Sequence, residues 1–135
     1  MAEITIDDSA TERLKSLGVS LLYVFGSVAE GTAHDLSDLD IGVVLENRGG
    51  HQTDSFVLYN DLYDILTDAF PLSEIDIVFL QAAGLEVCFD AITHGYVLYA
   101  SSADARYSFE EKTAILYADF KPLLESFNDA VLERI

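Results

Sequence analysis

The chain has 135 residues, half of them hydrophobic, and 24 Asp and Glu stand against seven Lys and Arg for a formal charge of −17. A single domain of this length buries roughly two thirds of its unfolded surface, so it needs neither disulfides nor structural metal, and the lone Cys88 offers no bridge and no zinc-ligand spacing. The acid excess excludes non-specific nucleic-acid binding, which depends on basic side chains that neutralise phosphates, and no run reaches the ~18–20 apolar residues of a membrane span.

In chain order, the opening MAEITIDDS has neither the basic nor the apolar region of a signal peptide, so a cytoplasmic protein is expected. Ser9-x-x-Glu12 is a capping-box pattern and predicts a short helix that Gly18 ends. Residues 19–25 read as a buried strand and 39–45 as a second, with a short helix and loop expected across 26–37. Residues 47–53, with Gly49-Gly50, predict a flexible turn. From Asp54, the spacing of Phe56, Tyr59, Leu62, Tyr63, Leu66 and Phe70 fits a helix that ends before Pro71.

Residues 74–80 (EIDIVFL) predict a third strand, 81–94 a helix stopped by Gly95, and 96–100 a short fourth strand. Cys88, in the apolar stretch LEVCFDAI, reads as a small buried hydrophobe. The tail, 103–135, reads as helical with an interruption at Pro122, because proline removes a backbone donor and clashes with the preceding turn. The aromatics of these helices, among them Tyr59, Tyr63, Tyr107, Tyr117, Phe120 and Phe127, are expected chiefly in core packing; Tyr117 and Phe120 share a face that can dock on the sheet or on a partner. The sum is one α/β (α+β) domain over 1–135: a small mixed sheet of about four strands flanked by helices, with a C-terminal helical segment.

The chemistry concentrates between Gly26 and Asp40. Gly26 ends a strand where the chain must turn sharply and let a ligand approach the backbone. Ser27 opens the next segment, where a hydroxyl and free N–H groups can bond phosphate oxygens. Asp38 and Asp40, one residue apart at the start of a strand, project to one side and supply hard oxygen ligands suited to magnesium. Asp76 is a charge within an otherwise apolar strand. If that strand neighbours 39–45, the three acids form one cluster, and their mutual repulsion calls for cations. Two metal ions would resolve it: one for an outgoing pyrophosphate, the other, held by Asp38, Asp40 and Asp76, for an attacking hydroxyl whose proton Asp76 can accept.

Gly26-Ser27-x10-Asp38-x-Asp40, with Asp76 in a later strand, resembles the polymerase-beta-like nucleotidyltransferase superfamily, and the small size matches its minimal (MNT) branch. Arg106, Glu110-Glu111 and the Tyr117-x-Asp119-Phe120-x-Pro122 segment are similar to MNT antitoxins of HEPN–MNT toxin–antitoxin pairs. The resemblance implies Mg2+-dependent transfer of AMP from ATP to a tyrosine of a partner HEPN ribonuclease toxin, which is expected to be basic and to form a hetero-oligomeric complex. It also implies catalytic and metal roles for Asp38, Asp40 and Asp76, and phosphate contacts for Gly26 and Ser27. Family members often carry a base just after Gly-Ser. Here 28–31 read VAEG, leaving Lys15, Arg48 or Arg106 to face a triphosphate. Two other readings stay open: an antitoxin that works by occlusion alone, and a small-molecule, aminoglycoside-type nucleotidyltransferase.

Overall fold

The computed structural model describes residues 5–26, 38–46 and 55–133. The elements run α1 (Asp8–Ser16), β1 (Val19–Phe25), β2 (Leu39–Leu45), α2 (Ser55–Ala69), β3 (Ile75–Phe79), α3 (Leu85–His94), β4 (Tyr96–Ala100) and α4 (Ala103–Glu133). The predicted connection across 26–37 and the turn at 47–53 lie outside the described residues, except for Gly26.

The strands form one sheet in the order β3-β2-β1-β4. β1 is antiparallel to both β2 and β4, whereas β2 and β3 are parallel. Parallel neighbours need a crossover, and α2 lies on it. Strand alternation then divides the apolar residues between two cores. Leu22, Val24, Ile41, Val43, Ile75 and Ile77 face α1 and α2, which contribute Leu14, Leu62 and Leu66. Leu21, Tyr23, Phe25 and Val44 face the other way, against Cys88 and Ala91 of α3 and Phe109 of α4.

Four sequence expectations change. The cap of α1 is Asp7 rather than Ser9: its carboxylate accepts from the Ala10 N–H at 2.8 Å. Both residues fit a cap, and the one that takes the role is set by where Ala10 and Leu14 must meet the core. Residues 81–84 form a turn before α3 instead of its first coil. Gln81 there bonds the Leu45 N–H and C=O through its side-chain amide, at 2.8 and 2.9 Å, and so closes the end of β2.

The third change is at Pro122, which does not interrupt α4: the helix runs 31 residues through it. Proline forfeits one intrahelical bond, and here it does so at an exposed position where water can serve the freed carbonyl of Ala118. The fourth is that Tyr59, Tyr63, Tyr107 and Phe127 are exposed and do not pack in the core. Tyr117 does pack, stacked on Phe89 with ring centroids 3.8 Å apart. Cys88 is buried, and its thiol donates to the Leu80 carbonyl at 3.0 Å.

Candidate active site

The register of the sheet builds the site. Phe25 pairs with Asp40 across β1 and β2, and Asp40 pairs with Asp76 across β2 and β3. The neighbouring rungs, Leu39 with Ile75 and Ile41 with Ile77, turn into the α1/α2 core, so alternation sends the Asp40–Asp76 rung to the opposite face. The apolar strand tolerates Asp76 because that side chain is exposed at the edge of the sheet. Asp38 is exposed one residue before β2 begins.

Gly26 abuts this rung. It holds φ +81, a left-handed conformation that side chains disfavour, and a Cβ at this position would strike Oδ2 of Asp40. Glycine is thus required by the acid as well as by the turn.

Burial raises the pKa of the Asp40 carboxyl, and the nearby charges of Asp76 and Asp38 and a hydrogen bond with Asp76 push it the same way. Like charges held this close disfavour full ionisation, and a divalent cation among them would reverse that preference. The donors, all carboxylate oxygens, fit magnesium. Among the described residues, however, the acids do not form a finished ligand set of three: Asp40 and Asp76 are direct partners, and Asp38 acts on Asp40 from the entrance of the strand.

The other sequence candidates divide. Ser27 and Arg48 lie outside the described residues. Lys15 sits on α1, in the layer covering the face opposite to the acids. Arg106 is engaged elsewhere: its Nε donates to Glu110 Oε1 at 3.2 Å, and the Tyr23 hydroxyl donates to the same oxygen at 3.3 Å. Burial and the Glu110 charge keep that phenol protonated well beyond its usual range. This junction pins α4 to β1 and was not foreseen. Its signals were a tyrosine hydroxyl within the buried strand VSLLYVF and the i,i+4 spacing of Arg106 and Glu110. His94 pairs with Asp90 at 2.8 Å.

A parallel pair of acid-bearing strands with a glycine turn beside them, on a sheet backed by helices, is the framework of a nucleotidyl-transfer domain. Residues 10–104 match the family described as Polymerase beta, Nucleotidyltransferase, and the chain belongs to that family. Over 114 residues it is 29% identical to the protein adenylyltransferase MntA of Shewanella oneidensis, spanning 84% of this chain and 77% of that protein. Among solved structures it is similar to a toxin–antitoxin complex with AMP-PNP, at 26% identity and a TM-score of 0.67, covering 90% of this chain and 94% of the other. A mutant MntA–HpeT toxin–antitoxin complex carrying two Asp-to-Glu substitutions gives 25% identity and a TM-score of 0.70, with coverages of 93% and 97%. The expected fold is thereby established.

Proposed function

We propose that this chain is an antitoxin that silences a cognate HEPN ribonuclease toxin by transferring AMP from ATP to a tyrosine of that toxin. The observation that carries the reading is the in-register Asp40–Asp76 pair, with Asp38 beside it and Gly26 packed against Asp40. Its support is the family membership and the adenylyltransferase and toxin–antitoxin relatives. The small-molecule reading has no comparable support.

Asp38, Asp40 and Asp76 would hold magnesium, which supplies charge neutralisation along the triphosphate and acidifies a bound hydroxyl. In the transfer, the phenolic oxygen of the toxin tyrosine bonds to the α-phosphorus of ATP. The bond from that phosphorus to the bridging oxygen breaks, and pyrophosphate leaves with the electron pair. The phenolic proton passes to Asp76, whose exposed position on the edge strand leaves it open to an incoming side chain. Gly26 lets the chain lie close to Asp40, and the backbone at Gly26-Ser27 would meet phosphate oxygens. A reaction that consumes ATP fits a cytoplasmic protein. Among the described residues no helix is long and apolar enough to cross a membrane.

Intact-mass spectrometry tests the proposal. Toxin incubated with this chain, ATP and magnesium should gain the mass of one or more AMP groups, and Asp38→Asn and Asp40→Asn should abolish the gain. An unmodified toxin that is nonetheless neutralised, by wild type and by the Asp38→Asn/Asp40→Asn double variant alike, would instead establish occlusion as the mechanism.

A further inference from the structure

We infer that the distal half of α4 is the surface on which the toxin docks, through a row of apolar side chains at Leu116, Phe120, Leu123, Phe127 and Val131. The inference rests on the reading of this chain as an antitoxin acting on a protein. It adds the place and chemistry of the contact.

The length of α4 is the first observation. A 31-residue helix extends about 46 Å at 1.5 Å per residue, whereas strands of five to seven residues span roughly 17–23 Å. The first half of α4 is anchored: Phe109 packs on Tyr23, Glu110 receives the Tyr23 hydroxyl, Thr113 is buried and Tyr117 stacks on Phe89. Beyond Tyr117 no residue of α4 is buried, and Leu124 is the one residue even partly covered.

The pattern of the overhang is the second. At 100° per residue, Leu116, Phe120, Leu123, Phe127 and Val131 fall in one stripe, which continues the line of Phe109 and Thr113 that meets the sheet. Leu123 is 68% and Phe127 65% exposed. Eight of the fourteen exposed large apolar side chains among the described residues lie on this one helix, a concentration that marks an interaction surface. Next to the stripe, Lys112, Thr113 and Leu116 help to line a cavity of about 360 Å³ with Val44, Leu80 and Phe109. A bulky side chain of the partner can enter there.

The third observation is what the overhang lacks. A projecting segment of this length draws little stability from intrinsic propensity. Pro122 lowers it, and Glu125, Asp129 and Glu133 place like charges at successive i,i+4 positions. A helix so composed is stabilised by packing against something.

Charge selects the occupant. The chain carries −17 overall, so a second copy would set two strongly like-charged bodies against each other, although Glu125, Asp129 and Glu133 themselves lie on the side of α4 away from the stripe. A ribonuclease must carry cations to hold RNA phosphates, and the field of this acidic chain favours such a partner over a second copy. The match to a chain of the mutant toxin–antitoxin structure covers 93% of this chain, so it extends into the distal half of α4.

The test uses the full chain, its cognate toxin and the double variant Leu123→Asp/Phe127→Asp, chosen because both side chains are exposed and the fold does not need them. Far-UV circular dichroism and magnesium-dependent ATP binding of the free variant should match wild type. Its affinity for the toxin should fall about 100-fold or more, because two large apolar contacts are lost and two charges are placed where they would be buried. AMP transfer at low concentration should fall with it and recover at saturating antitoxin. Wild-type affinity in the folded variant overturns the docking proposal and leaves the transferase reading intact. A wild-type dimer that the variant dissociates, with toxin binding unchanged, assigns the stripe to a second copy and also overturns it. If the wild-type chain neither binds nor modifies the toxin, both readings fall.

Discussion

At Gly26 one methyl group is enough to perturb the site. Alanine there must hold φ +81 and place its Cβ into Oδ2 of Asp40, so either the turn opens or the carboxylate swings away from Asp76. The strained backbone alone costs about 1 kcal/mol. Displacement of a reacting geometry by an ångström can lower a rate about 100-fold. Gly26→Ala should therefore lower the melting temperature modestly and AMP transfer by about two orders of magnitude; equal activity in the two proteins would show that Gly26 does not set the position of Asp40. Asp40 makes a second prediction. Its carboxyl titrates above the ordinary range in the folded, metal-free protein. Between the unfolded and folded pKa values the native state binds more protons, so stability falls as pH rises through that window and then stays low. In EDTA, thermal melts should show this slope for wild type and lose it in Asp40→Asn, which should be the more stable protein at neutral pH. Added magnesium should raise the melting temperature of wild type alone. That these acids belong together was legible from their types and spacing. That Asp40 and Asp76 would be in register was not, because pairing across a parallel sheet depends on the crossover through α2 rather than on local sequence.

The elements show the same division. The four strands and α2 were legible because runs such as VSLLYVF and EIDIVFL must be buried and because Pro71 and Gly95 punctuate their neighbours. Gln81 escaped because its role is tertiary: nothing local distinguishes a first helical residue from one whose amide closes the end of β2. Pro122 misled for a related reason. Local rules count the lost hydrogen bond, but not the exposed position at which it is lost. Pro122→Ala restores one intrahelical bond and improves helix propensity by about 3 kcal/mol, yet the segment beyond it packs on little. Hydrogen exchange should slow for amides after residue 122, while global melting barely moves, because local opening there is decoupled from the core. A rise in melting temperature of several degrees would mean that the distal half of α4 is part of the cooperative fold and that the overhang carries less independence than its exposure indicates.

For the whole molecule, the charge of −17 admits two readings, solubility or a basic partner, and the fold favours the second. The acids are not confined to the Asp40–Asp76 rung, where magnesium would offset them. They also run along the outer side of α4, at Glu125, Asp129 and Glu133, behind the stripe that meets the toxin. Charges in that position lie mostly outside the buried contact, so they act on encounter more than on the residence of the complex. Attraction between exposed charges decays over a Debye length of about 8 Å at physiological ionic strength. Stopped-flow association with the toxin should therefore slow by about tenfold or more between low and high salt, while dissociation changes little. The variant Glu125→Lys/Asp129→Lys/Glu133→Lys should associate slowly even at low salt, flatten that dependence and retain AMP transfer once bound, since none of the three touches the Asp40–Asp76 site. An association rate indifferent to salt would show that shape alone brings the partners together and that the acid excess serves solubility.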